Sequence, residues 1–240
     1  MPNPLVIENR TPEENPAGGL LLGLLRAEGV AAGVRPDGLD AAIARATSVE
    51  EPDAVREARR KAARDMLRNG RYKPTGRGKP ASEYLLRAAA ENAFPRINAL
   101  VDVNNLVSAE SALPVSLWDL DRAGADHYRF RLGREGEEYV FNPSGQTLKL
   151  HDLVVGCRVP GEPDGGGEPI VSPIKDSQPT KTTAGTRRVA ACVYAPCSAV
   201  SPEELEGLCD AFADWLARCG SGAPAAVTWQ VARPGETVRV

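Results

Sequence analysis

The stretch Arg96-Ile97-Asn98-Ala99-Leu100-Val101-Asp102-Val103-Asn104-Asn105-Leu106-Val107-Ser108-Ala109-Glu110-Ser111-Ala112-Leu113-Pro114 decides the fold class. From Arg96 to Ser111 the apolar residues Ile97, Leu100, Val101, Leu106 and Val107 recur at helical intervals, which predicts a buried helix. After Pro114 the pattern changes. His127 to Leu132, Glu137 to Phe141, His151 to Val155 and Arg187 to Tyr194 are short runs separated by Gly and Pro turns, and read as strands. Asn142-Pro143-Ser144-Gly145-Gln146 is a hairpin turn by composition.

Upstream, the chain reads as helical, with no convincing strand before about residue 94. Leu20 to Leu25 begins this region, Pro36-Asp37 opens a second segment, and Glu51-Pro52-Asp53 opens a helix from Asp53 to about Arg68 that stops at Asn69-Gly70. Lys73 to Pro80 is a Gly/Pro loop. Ser82 is expected to cap a helix through Phe94, with Tyr84, Leu85, Ala88 and Ala89 on one side and Pro95 at its end. Downstream, Ser201-Pro202-Glu203-Glu204 announces a last helix carrying Leu205, Leu208, Phe212, Trp215 and Leu216, and Ala226 to Val231 closes as a strand. Helices, then strands, then one helix indicate an α+β fold and not alternating βαβ units. The expected division is a helical region over 1–70 and a second unit over 71–240, packed as one compact body.

Composition removes several chemistries. No run approaches the roughly 18 apolar residues of a membrane helix, and Met1 to Val30 lacks a basic start followed by an apolar run, so a soluble, cytoplasmic protein is expected. The five cysteines, Cys157, Cys192, Cys197, Cys209 and Cys219, form no CxxC pair and read as small buried hydrophobes. His127 and His151 are the only histidines and give a zinc site little to build on, so neither metal nor cofactor is expected. No GxSxG elbow, GxxxxGK[ST] or GxGxxG occurs; Gly165, Gly166 and Gly167 belong to a Pro/Gly/acid loop. His151 reads as the start of a strand and not as a base.

Three polar features remain. Arg56, Arg59, Arg60, Lys61, Arg64, Arg68, Arg71, Lys73, Arg77 and Lys79 face only Glu57 and Asp65, giving +8 within a chain whose 29 basic and 32 acidic residues sum to −3. Arg56, Arg60, Arg64 and Arg68 form an i, i+4 stripe suited to a phosphate backbone; the alternative is a solvated helix face. Asn98, Asp102, Asn105 and Ser108 share one face of the Arg96 to Ser111 helix, with Asn104 beside them, as a pocket wall or a satisfied buried network. The run Pro173-Ile174-Lys175-Asp176-Ser177-Gln178-Pro179-Thr180-Lys181-Thr182-Thr183 puts donors and cations on a proline-stiffened loop, as an anionic ligand requires, or is a plain surface loop.

Asn104 to Asp121 resembles the B3/B4 domain of the bacterial phenylalanyl-tRNA synthetase beta chain, whose helix-turn reads approximately Thr-Asn-x-x-x-x-Glu-x-Gly-x-Pro-x-His-Ala-Phe-Asp-Leu. The region from about Lys73 to Pro196, including Gly136-Glu137 and the Lys175 to Thr183 loop, resembles the free-standing B3/B4 proteins more closely. In the synthetase this domain edits: it hydrolyses the ester of tRNA carrying a wrong amino acid, notably tyrosine. Asn105, Glu110, Pro114 and Asp119 match the family positions. Asn104 replaces the family threonine and Ser116 the histidine that binds the amino-acid part. The glutamate that reads the tyrosine hydroxyl falls near Ala190, which implies a different side chain.

The resemblance implies a trans-acting deacylase of mischarged aminoacyl-tRNA working with a positioned water and hydrogen-bond donors. Asn104, Asn105, Ser116 and Lys175 are the expected catalytic group. Ser108, Glu110, Asp119, Ser177, Gln178 and Lys181 are expected to bind substrate, and Arg56, Arg60, Arg64, Arg68, Arg71, Lys73, Arg77 and Lys79 to bind the tRNA backbone. A module that binds charged tRNA without cleaving it, or a protein acting on a free amino acid or similar small molecule, are the alternatives.

Overall fold

A computed structural model describes residues 4–48, 53–160 and 166–240. Glu51, Pro52 and Gly165 lie outside them. In chain order the elements are β1 (Val6–Asn9), β2 (Leu20–Glu28), α1 (Leu39–Thr47), α2 (Ala54–Asp65), α3 (Ala81–Ala90), α4 (Ala99–Ser111), β3 (Val115–Asp119), α5 (Leu120–Ala123), β4 (His127–Leu132), β5 (Glu138–Val140), β6 (Thr147–Lys149), β7 (Val154–Arg158), β8 (Glu168–Val171), β9 (Arg188–Pro196), α6 (Pro202–Ala217), β10 (Ala226–Ala232) and β11 (Thr237–Arg239). The fold is α+β. A five-stranded sheet runs β11-β1-β4-β7-β8, a four-stranded antiparallel sheet runs β10-β2-β9-β3, and β5-β6 is a hairpin.

The two larger sheets enclose one core. Leu20, Leu22, Leu24, Trp118, Cys192 and Tyr194 meet Ile7, Tyr128, Phe130, Val155 and Ile170 there. On its other face the four-stranded sheet packs Leu21, Leu25, Val193 and Ala195 against Leu39 and Ile43, Leu100 and Val103, and Leu205 and Phe212 from three helices. Of its strands, β2, β9 and β3 are therefore buried on both sides.

That arrangement corrects the reading of the N-terminal region as wholly helical. Residues 1–70 do contain α1 and α2, but Leu20 to Leu25 belongs to β2, which lies between β10 and β9, and β1 pairs in parallel with β4. With both faces of β2 buried, Leu-Leu-Leu-Gly-Leu-Leu shows no alternation, and an unbroken apolar run of that length does not distinguish helix from strand. Gly23 is required by packing: a Cβ there would sit 2.7 Å from Cys209 Sγ and 2.9 Å from Leu205 Cδ1.

Smaller corrections follow from burial and caps. The helix read from Ser82 to Phe94 ends at Ala90; its N-cap is Pro80, and Ser82 is buried with its hydroxyl unpartnered. Tyr84 and Ile97, both assigned to apolar faces, are each 68% exposed. Cys197 is exposed, in the turn after β9, while the other four cysteines are buried. The Ser201–Glu204 capping box is present in full, and Asn142 Oδ1 accepts the Gln146 amide at 3.0 Å in the β5-β6 turn.

Candidate functional site

β3 is an edge strand, and the polar residues of its neighbours gather along it. The geometry begins with α4. Asn98 caps the helix by accepting the Val101 amide at 3.0 Å, and its own amide lies 3.4 Å from Thr182 Oγ1. At the other end Ala112 takes a left-handed conformation (φ 59°), Ser111 Oγ donates to Val107 O, and Ser108 Oγ donates to Leu113 O, both at 2.7 Å. These bonds turn the chain sharply into β3 and fix Ser116. Asn98 and Ser108, half of the predicted polar face, thus shape the backbone. Asp102 is also engaged, by Arg35, Arg96 and the Ile97 amide.

Ser116 is fully buried. Its Oγ lies 2.7 Å from Asp176 Oδ1, 3.1 Å from Tyr194 Oη and 3.3 Å from Ser172 O. The hydroxyl has one proton, and the shortest contact directs it to the carboxylate, so Tyr194 donates to Ser116. Asp176 Oδ2 also accepts the Leu117 amide at 3.2 Å, on the edge of β3 away from β9. Asn104 Nδ2 lies 3.5 Å from Val115 O and 3.4 Å from Asn105 Oδ1, while the Asn104 Oδ1 is buried and unpartnered. Tyr139 Oη reaches Lys175 O at 2.5 Å and Ser172 Oγ at 2.9 Å, tying the loop to the β5-β6 hairpin.

Burial pushes the Asp176 carboxyl up to about 6, against the opposing effect of its hydrogen bonds from Ser116, Leu117 and Ser172 and the charge of Lys181. Burial also lowers both neighbouring ammonium groups, and the positive charges of Arg77 and Lys181 lower Lys175 further. Lys175 Nζ stands 3.9 Å from the centre of the Phe141 ring, and Lys181 Nζ donates to Phe141 O at 2.6 Å. A carboxyl that titrates near neutrality, two lysines and several hydroxyls make a site able to accept and return one proton beside an anion.

The predicted residues divide on this frame. Asn104 and Ser116 lie at β3, with Asn105 beside Asn104; Lys181 is in electrostatic reach of Asp176, and the Lys175 ammonium sits over Phe141. Ser177 bonds to Thr180 and, through its amide, to Ile170 O, while Gln178 opens a short 3₁₀ turn after it. Asp119 is occupied as the cap of α5, accepting from the Arg122 amide, and by the Thr186 hydroxyl at 2.6 Å. Glu110 is exposed, in electrostatic reach of Arg45 and Arg56. Ala190 is enclosed in the core between the sheets. Asp176, Tyr139, Ser172 and Tyr194 were not singled out. Asp176 is legible as the only acid in the Lys175 to Thr183 run; Tyr139 and Tyr194 lie on runs that read only as strands.

The basic stripe is largely committed within the protein. Arg64 makes two hydrogen bonds to Glu83, Arg60 pairs with Glu57 and lies 3.5 Å from Glu83, Arg68 pairs with Asp65, and Arg56 donates to Ala109 O at 2.7 Å. Arg71, Lys73, Arg77 and Lys79 instead are exposed on the 71–79 loop. That loop adjoins the site: Tyr72 closes it by donating to Gly78 O at 3.0 Å, and the Ala81 amide beyond it donates to Pro173 O at 2.8 Å.

Among the described residues no helix is long and apolar enough to cross a membrane. A search of curated proteins finds no match to the chain. The family model described as the B3/4 domain matches residues 73–200, a span holding α3, α4, β3, Asp176 and all of β9. With more than half of its 240 residues matched, the chain belongs to the B3/4 domain family.

Proposed function

We propose that this protein is a cytoplasmic, trans-acting editing hydrolase that cleaves the ester of mischarged aminoacyl-tRNA. The observation that carries the reading is the Asp176 carboxyl, held against Ser116 and the edge of β3 within electrostatic reach of Lys181. Membership of the B3/4 family supports the substrate class. In the reaction a water attacks the ester carbonyl carbon and gives its proton to the Asp176 carboxylate. The bond from that carbon to the ribose oxygen then breaks, and the proton passes from Asp176 to the ribose oxygen. A lysine ammonium offsets the charge on the tetrahedral oxygen.

Ser116 has no exposed surface, so its role is to position the carboxylate and not to attack the ester. Asn104, with an unused acceptor, faces the aminoacyl group. The 71–79 loop supplies phosphate contacts through exposed cations that pair with no acid among the described residues, whereas the arginines of α2 brace the fold. Incubation with a panel of aminoacyl-tRNAs tests the reading: accelerated loss of at least one ester is expected, and no acceleration of any member overturns it. The enclosure of Ser116 and Tyr194 favours, as a second reading, a module that binds charged tRNA without hydrolysis. Saturable, salt-sensitive binding with no ester loss selects that one.

A further inference from the structure

The edges of the two large sheets are not treated alike. β3 is covered at Leu117 by Asp176 and approached at Val115 by Asn104. β8 is four residues long, contains Glu168 and Pro169, and has its Ile170 carbonyl taken by the Ser177 amide. β11 has three residues and ends in Arg239. Shortness, proline, charge and side-chain cover are the usual means of preventing sheets from joining edge to edge.

β10 uses none of these between Ala226 and Val231. Ala226-Val227-Thr228-Trp229-Gln230-Val231-Ala232 is seven residues long, lacks charge and proline, and is rich in residues that favour strands. Among the described residues its one strand neighbour is β2. Its last carbonyl, on Ala232, accepts from Asn9 Nδ2 at 3.1 Å. Val227, Trp229 and Val231 are half-buried on the α6 side, with Trp229 Nε1 donating to Asp210 at 3.0 Å, while Ala226, Thr228 and Gln230 are exposed on the other.

We infer that β10 is a self-association edge at which a second copy of this chain adds its own β10 antiparallel, joining two four-stranded sheets into one of eight strands. The strand is complementary to itself. With Trp229 on the two-fold axis, it meets its own copy, Val227 meets Val231, Thr228 meets Gln230 and Ala226 meets Ala232. Val and Trp residues then meet on one face, Thr228 meets Gln230 between alanine pairs on the other, and no like charges are opposed anywhere along the strand. A charged peptide or nucleic acid would find no counter-charge on β10, which is why the partner is a second copy.

Sedimentation velocity of the full chain over a range of concentrations tests the inference. A reversible dimer is expected. In Thr228→Lys/Gln230→Lys, position 228 of one copy faces position 230 of the other, which creates two like-charge pairs; association weakens by about tenfold or more. Thr228→Lys/Gln230→Glu places opposite charges at the same contacts and keeps the dimer. Both positions are exposed, and matching circular dichroism and melting curves establish that the variants fold. A chain monomeric at every concentration overturns the inference, as does a dimer indifferent to both double substitutions, which would place the contact elsewhere.

Discussion

Ser116 and Asp176 are joined by a 2.7 Å hydrogen bond across 60 residues of sequence, and the same carboxylate accepts the Leu117 amide at 3.2 Å. One acidic side chain thus fastens the 172–183 loop to the β3 edge while remaining the most chemically poised group of the site. Keeping a carboxylate ionised in an enclosed position costs stability, and such a cost is commonly found where a proton is handled.

Asp176→Asn should lower deacylation by about a hundredfold or more, with the wild-type rate climbing as pH rises through about 6, because only the ionised carboxylate takes a proton from water. A pH–rate profile of the two proteins checks both expectations.

The same residue sets a stability difference of known sign. Its pKa is raised on folding from 3.8 to about 6, so the contribution of the protonated form is complete below about 4 and is lost as pH rises through about 6, by roughly 3 kcal/mol. Between pH 4 and pH 7 the urea midpoint of wild type should fall relative to that of Asp176→Asn.

Glu8 has the opposite sign. Burial alone would raise its carboxyl, but hydrogen bonds with Arg129, His127 and Arg10 outweigh that and hold it at about 2. The stability it contributes is present above about 4.5 and lost as pH falls towards 2. Glu8→Gln should cost about 2 kcal/mol at pH 7, and the gap to wild type should close on acidification. Denaturant titrations along a pH series read this directly.

Arginines of the two basic segments should separate cleanly. Arg64→Ala leaves the nearly buried Glu83 carboxylate with its longer contact to Arg60 in place of two short bonds, and should lower stability by about 1–3 kcal/mol without changing the salt dependence of tRNA binding. Arg77→Ala and Lys79→Ala should leave the melting temperature unchanged and each reduce the salt slope by about one. Binding isotherms at several salt concentrations, paired with melting curves, distinguish the two.

Gly23→Ala should destabilise by about 1–3 kcal/mol, since its Cβ would lie 2.7 Å from Cys209 Sγ and 2.9 Å from Leu205 Cδ1. Adding Cys209→Ala should recover part of the loss, which a double-mutant cycle of urea midpoints measures.

The sequence by itself determined the α+β class, the helix leading into Pro114, the capping box at Ser201, the strand from His127 to Leu132 and the B3/B4-like residues from Asn104 to Asp121. The strand and the capping box rest on one-sided burial and local backbone chemistry, which leave a periodic or short-range mark, whereas α4 is buried almost all round and is marked by its helically spaced apolar residues and the proline beyond its end. Only the tertiary structure decided that Leu20 to Leu25 is a central strand, because burial on both faces erases the alternation that identifies a strand. It alone decided that Glu83 takes up Arg64, 19 residues away, and that Asp176 lies under Ser116. Whether a charge is free to meet a ligand depends on which counter-charge the fold brings beside it, and spacing along the chain carries no record of that.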